Sequence, residues 1–306
     1  YSLPIPDPRS TAGFGWTLHL GQLYPPDTKP FNDRDFDWIY VAPDGGQHAF
    51  STELHPNAPS PPQPNTWFTT DGTYLRLRLL SGSSCEAVAG TTNECATVES
   101  MDALTREFRN FGTLAAPAWR LTRIVDRFGN DLEIRYPDAN TWRLEDIHGR
   151  THFVRFTGGF PEPGSPGGRV ASVDLETFGG QTSTWTFEHT PTTIDRQRFD
   201  RPACAPPNQT NTIAVPLLTQ LEQPDGSWFA MEYSTSDAPL GDVLAGGLQT
   251  LRLPTGGAYR YTYQDYDFNS FAPDELDANP YKISHGVATR SIDLDNDAAA
   301  VLGTWT

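Results

Sequence analysis

One glycine frame recurs through this chain and limits what it can fold into. The glycines are Gly45, Gly72, Gly129, Gly149, Gly180, Gly226 and Gly256. Five residues before them stand Tyr40, Trp67, Ile124, Leu144, Leu175, Leu221 and Leu251. Five residues after stand Phe50, Leu77, Ile134, Val154, Trp185, Met231 and Tyr261. Seven after stand Leu79, Tyr136, Phe156, Phe187, Tyr233 and Tyr263, with Thr52 the one polar exception. Offsets of five and seven have the same parity, so these side chains share one face of an extended strand. The unit is a strand, a glycine turn and a second strand, and its recurrence predicts an all-β repeat architecture. Ile124, Ile134, Tyr136, Leu144, Val154, Phe156, Tyr233, Tyr261 and Tyr263 are its expected core.

Composition agrees. The 306 residues include 26 Gly and 27 Pro for turns, with 17 Phe, 11 Tyr and 8 Trp supplying strand-favouring rings. The stretch Tyr74-Leu75-Arg76-Leu77-Arg78-Leu79 alternates cleanly, which places its leucines on a core and its arginines in solvent. A net charge of -16 disfavours a nucleic-acid partner and an anionic membrane surface. No apolar run is long enough for a membrane helix, so membrane insertion is not expected. The opening Tyr1-Ser2-Leu3-Pro4 carries neither a methionine nor a secretory signal, as expected of a mature product or an excised piece.

Three stretches divide the chain. Residues 1–35 read as an irregular lead-in with an opening strand in GFGWTLHLGQLY. Residues 36–264 read as the repeat region, with loop insertions at 81–118, 157–169 and 188–216. Residues 265–306 continue the pattern incompletely. Within the first insertion the spacing of Met101, Leu104 and Phe108, with Ser100 as cap and Gly112 as stop, predicts one short helix near 100–111. Cys85 and Cys95 bracket a polar loop between strands and are the candidates for a disulfide, while Cys204 has no evident partner.

Chemistry-bearing patterns are sparse. Asp293, Asp295 and Asp297, and likewise Asp33, Asp35 and Asp37, alternate as carboxylates do in calcium loops, but neither set has the glycine and distal glutamate of an EF-hand. Calcium is the one cofactor they suggest; a solvated acidic edge explains them better. His148 and His152 would converge on a metal only on a helix, and they lie in a turn entering a strand. Glu145 beside Asp146 has the makings of a glycosidase pair, yet with 38 acidic residues some pair always does. There is no GxSxG elbow and no phosphate loop, so no catalytic residue is assigned. Exposed rings on the insertions, such as Phe160, Phe199 or Trp228, suit cell-surface glycans.

The pair LTRIVDRFGNDLEIRYPDANTWRLEDIHGRTHFVRF resembles the tyrosine-aspartate (YD) repeat of Rhs proteins, found also in Tc toxin shells and teneurins. Leu121, Ile124, Asp126, Gly129 and Tyr136 match one unit, with Pro137 standing before Asp138; Arg143, Leu144, Asp146, Gly149, Arg150 and Phe156 match the next. GFGWTLHLGQLY is similar to the Gly-x-Gly-Trp segment that opens such regions. The resemblance implies strand-turn-strand units spiralling into a hollow β-shell that encapsulates or presents a C-terminal effector or binding domain. It further implies a secreted or cell-surface location, bacterial in type. The expected partners are the remaining repeats, the C-terminal domain or neighbouring subunits. The alternatives are a carbohydrate-binding or adhesive module and, less favoured, a carbohydrate-active enzyme.

Overall fold

A computed structural model describes residues 11–26, 38–51, 64–82, 85, 91, 94–112, 118–158, 168–197, 210–235, 245–267, 283–294 and 301–305. These residues are all-β and fall into two compact units: Thr17–Ser183, and Thr184–Thr306 together with the described part of Tyr1–Trp16.

In the first unit β1 (Gln22–Tyr24), β2 (Trp38–Val41), β3 (Gln47–Ser51), β4 (Thr66–Thr69), β5 (Arg76–Ser81) and β6 (Glu94–Glu99) follow one another. After them come β7 (Thr105–Asn110), β8 (Trp119–Val125), β9 (Asp131–Asp138), β10 (Thr141–Asp146), β11 (Thr151–Thr157) and β12 (Arg169–Glu176). Each strand pairs antiparallel with the next in sequence. This sheet curves, because β1 lies against β8 and the Trp38 ring meets Trp119 edge-on at 5.4 Å. The concave side buries Leu23, Tyr40, Phe50, Leu77, Val98 and Phe108. Along it Phe111, Tyr136, Trp142 and Phe156 form a continuous aromatic row with centroid spacings of 5.3, 6.3 and 4.8 Å.

The second unit contains most of β13 (Thr182–Gln197), then β14 (Thr210–Glu222), β15 (Trp228–Tyr233), β16 (Leu248–Arg252), β17 (Ala258–Asp267), β18 (Ile283–Asp293) and β19 (Val301–Trp305), again paired in sequence order.

The glycine frame has a concrete form. In six hairpins the residue three before the glycine accepts the glycine N–H and donates its own N–H to the carbonyl of the residue after the glycine. The turns run 42–46, 126–130, 146–150, 177–181, 223–227 and 253–257. This is a three-residue loop closed by a residue in the left-handed region; in the turn 177–181 Gly179, at φ 93°, is left-handed as well as Gly180. Gly149, at φ 76°, fills that position with open space around its absent Cβ. Gly72 sits in a longer turn, Thr69–Leu75, in which Tyr74 is also left-handed at φ 54°.

The helix expected near 100–111 is not formed. Ser100 to Leu104 make the same three-residue turn, with bonds of 3.0 Å from Ser100 N to Leu104 O and 2.9 Å from Ala103 N to Ser100 O. Ala103 holds the left-handed position at φ 60°, and Thr105–Asn110 is β7. Helical spacing would have put Met101 on a core, whereas it is 78% exposed. The strand instead pairs on both edges and buries Phe108 completely. The 81–118 stretch is thus not a loop insertion, since it contains β6 and β7. The 188–216 stretch is likewise shorter as a loop, because β13 and β14 run into it from either side.

Three hairpins share a second device. The ladders β8–β9, β14–β15 and β16–β17 each hold three residue pairs. Immediately beyond, Thr122, Thr219 and Gln249 are extra residues where each first strand bulges against its other neighbour. The hairpin strands part there, and a tyrosine spans the gap. Tyr136, Tyr233 and Tyr263 donate their hydroxyls to the carbonyls of Leu121, Leu218 and Leu248 at 2.6, 2.7 and 2.7 Å, in each case fifteen residues back. Burial holds the Tyr136 and Tyr233 phenols well above their usual range and pushes Tyr263 up to about 12, so all three remain donors.

Two outcomes follow for denaturant midpoints. Ala103→Gly should stabilise by about 0.5–1 kcal/mol, since relief of the left-handed penalty outweighs the added chain entropy, and Gly149→Ala should destabilise by about 1 kcal/mol. Tyr136→Phe and Tyr233→Phe should each destabilise by about 1 kcal/mol while the far-ultraviolet spectrum stays that of a β protein.

Candidate interaction surface

Strands that pair in sequence order send alternate turns to the same rim. In the unit Thr17–Ser183 one rim therefore gathers the turns 42–46, 69–75, 100–104, 126–130, 146–150 and 177–181. The residues between the closing position and the glycine point away from the sheet, and many are apolar. Phe178 is 92% and Phe128 74% exposed, with Tyr74, Met101 and Ile147 also outward. The Arg127 guanidinium lies 4.6 Å from the Phe128 centroid and that of Arg150 5.2 Å from Phe178, so cations lie over two of the exposed rings. A line of apolar side chains on an otherwise charged protein is the feature most suited to contact with a partner.

The tips keep their shape because aspartates hold the turn backbone. Asp126 Oδ1 accepts the N–H groups of Phe128 at 2.8 Å and Asn130 at 2.9 Å, and its Oδ2 accepts from Asn130 Nδ2. Asp146 does the same for His148 and Arg150, at 2.9 and 3.0 Å, and also takes the Arg150 side chain. In the turns 42–46 and 223–227 the aspartate instead precedes the glycine, and Asp44 and Asp225 accept from Gly46 and Ser227. At Asp126, Asp146 and Asp225 these bonds favour the ionised carboxylate. The Asn130 amide lowers Asp126, the Ser100 hydroxyl lowers Asp102, and the Ser227 hydroxyl lowers Asp225. For Asp146 partial burial opposes ionisation, but the bonds from Arg150 outweigh it. Asp71 shows the same balance at the turn 69–75: burial resists, yet Thr73 and His48 bring it down to about 2. His48 Nδ1 and Asp71 Oδ2, 2.7 Å apart, join the first two turns of the rim.

The other residues singled out in the sequence have structural partners or lie outside the described residues. Cys85 and Cys95 are bonded, with Cα atoms 5.8 Å apart. Asp293 is buried against Arg260, whose Nε is 3.0 Å from its Oδ2, while Asp295 and Asp297, like Asp33, Asp35 and Asp37, lie outside the described residues. Among the described residues no three His, Cys, Asp or Glu side chains converge as a metal set. Glu145 pairs with Arg143 at 2.9 Å, Asp146 serves its turn, and His152 Nδ1 accepts the Glu176 N–H. Trp228 is exposed; Phe160, Phe199 and Cys204 lie outside the described residues. Of the expected core, Ile134, Leu144, Val154 and Phe156 are buried, while Ile124 and the four tyrosines are half-buried. Sequence reasoning missed the apolar rim, although its signal was present in Asp-Arg-Phe-Gly, Asp-Ile-His-Gly and Thr-Phe-Gly-Gly, where a turn of polar type carries a large apolar residue.

No protein-family model matches the chain, and no curated protein matches it. Among the described residues no helix is long and apolar enough to cross a membrane.

The turn carboxylates make the fold sensitive to acid. Their folded pKa values are lowered, so the stability they contribute is complete above the unfolded aspartate value of about 4 and is lost as pH falls through the folded values. Thermal melts should be nearly flat from neutrality down to about pH 5 and fall steeply below about pH 4. Asp126→Asn with Asp146→Asn, which keeps an acceptor oxygen in each turn but cannot titrate, should make that fall shallower.

Proposed function

We propose that this chain is a stretch of β-wall from a secreted or cell-surface protein of the Rhs/YD-repeat type. It contributes to a shell that encapsulates or presents a C-terminal effector or binding domain. The observation carrying this reading is the recurrence of one hairpin, turn by turn, with the tyrosine hydroxyl bolted fifteen residues back in three copies. A hairpin of this kind has one apolar face and cannot bury it alone, so it serves as a component of a stacked wall. The convex side suits a wall facing water: cross-strand pairs Arg123–Asp131 and Arg155–Asp174, at 2.8 and 3.0 Å, cover it with mutually neutralised charge. The Cys85–Cys95 bond fits an oxidising, extracellular setting. In this reading the partners are the remaining repeats, the C-terminal domain of the same polypeptide or neighbouring subunits.

The exposed rings Phe128, Phe178 and Trp228 favour a second reading, an adhesive module that stacks aromatic faces on cell-surface glycans. Electron microscopy of the full-length secreted polypeptide separates the two. A hollow particle with a wall one sheet thick is the expected result, and a solid globule or a closed propeller would overturn the shell. Binding on a glycan array that disappears in a Phe128→Ser, Phe178→Ser, Trp228→Ser variant would establish adhesion instead.

A further inference from the structure

The segment Thr11–Trp16 packs against residues far from it in sequence. Thr11, Ala12 and Phe14 are buried, and Phe14 enters the core formed by Ile194, Val215, Leu217 and Ala245, with Tyr233 against it. Three features fix the segment there. The Phe14 N–H donates to Pro216 O at 2.7 Å, next to Leu217 on β14. The Trp16 indole N–H donates to the Tyr233 hydroxyl at 2.7 Å, which itself donates to Leu218 O. Steric fit does the rest: a Cβ on Gly246 would lie 2.6 Å from the Phe14 ring, and one on Gly13 2.9 Å from Leu218 N. Gly13 and Gly15 also hold positive φ, which brings Phe14 to the tip of a loop closed by the Ala12 N–H on Trp16 O at 3.1 Å.

The strands β13 to β19 pair in sequence order, and this segment is not one of them. It is a ligand-like insertion into a sheet complete in its own ladder. Residues 17–20, which follow it, carry no strand, and the indole–phenol bond spans 217 positions of sequence. The contacts therefore read only the segment: an aromatic ring in an apolar pocket, glycines where a Cβ would collide, a backbone N–H on a carbonyl and an indole on a phenol.

We propose that the unit Thr184–Thr306 carries a recognition site for a Gly-Phe-Gly-Trp segment, filled in cis by residues 13–16 and able to take the same segment from a second copy of the chain. Tethering favours the cis arrangement, because the attached segment is held at high effective concentration. When cis filling is prevented, copies pair by donating the segment to one another, the exchange known as domain swapping. The inference is independent of the shell reading.

Two full-length variants test it. Phe14→Ala keeps the pocket and spoils the segment; Gly246→Val keeps the segment and fills the pocket. Each alone should run as a monomer in light scattering after size exclusion, whereas their equimolar mixture at high concentration should give a heterodimer that an excess of synthetic peptide Thr11–Leu20 dissolves. A mixture that stays monomeric while both variants keep the wild-type far-ultraviolet spectrum overturns the proposal, as does a dimer of either variant alone. Phe14→Leu, which keeps an apolar side chain in the core, provides a second measurement should either variant fail to fold. Its site should bind the labelled peptide at least about tenfold more tightly than the wild-type chain does, since the native segment competes less well. Equal binding to the two chains, or none to either, sinks the idea.

Discussion

The strand register of this fold depends on the left-handed residue that closes its recurring turn. Once a three-residue loop is closed by it, the residues on either side are forced into fixed opposition: Ile124 faces Leu132, Leu221 faces Phe229 and Leu251 faces Tyr259. Opposed residues share a face, and parity then assigns every side chain along both strands to the concave or the convex side. A slip of one residue would expose Ile134, Val154 and Met231 together, all of which are buried. The turn thus sets the register, and the register sets the core.

The bulge is the second constraint. In the three hairpins that carry it, the strands separate three ladder pairs beyond the turn, and the bulged residue redirects the first strand toward its other neighbour. That separation leaves a main-chain carbonyl facing away from its hairpin partner. The tyrosine seven residues after the glycine answers it with a hydroxyl and fills the widening gap with its ring, so one side chain supplies both the bond and the packing. Where phenylalanine takes the place, as at Phe156, the ring packs against Trp142 and no hydroxyl is offered. The convex face needs less. Its arginine–carboxylate pairs are partly exposed and worth about 1 kcal/mol each, so they make the face water-compatible more than they hold it together.

Much of this was legible in the chain because the turn has a chemical signature. Pro-Asp-Gly and Asp-x-x-Gly mark the closing positions, and the apolar residues five and seven later lie on the predicted face. The reading failed where the signature was carried by the wrong residue. At Ala103 the same turn exists without its glycine, so Ser100 to Asn110 looked helical by the spacing of Met101, Leu104 and Phe108. Strand pairing overrode that local pattern, because two neighbouring strands satisfy the backbone of β7 on both edges while a lone short helix would have left Phe108 half-covered. The proline-containing ends of β13 and β14 were hidden for a related reason: Pro191 and Pro216 sit opposite each other in a long ladder, where neither composition nor alternation marks a strand. The docking of Phe14 was beyond any local signal, since its pocket is built from residues some two hundred positions away.

The same economy explains where a partner's contacts can lie. A turn whose backbone donors are held by its own aspartate does not depend on its two outermost side chains, which touch little of the sheet. Asp126 fixes the loop whether residue 128 is phenylalanine or serine, as Asp146 fixes the next one around Ile147 and His148. Strand interiors have no such freedom, because each concave position faces a neighbour across the pair. Apart from the arginine contacts of Phe128 and Phe178, apolar residues at these positions add little that the fold requires. Phe128, Ile147 and Phe178 all expose apolar surface to water on one rim, at a cost that folding does not recover. Of all positions in the hairpin, these exposed tips are therefore the ones best suited to contact outside it.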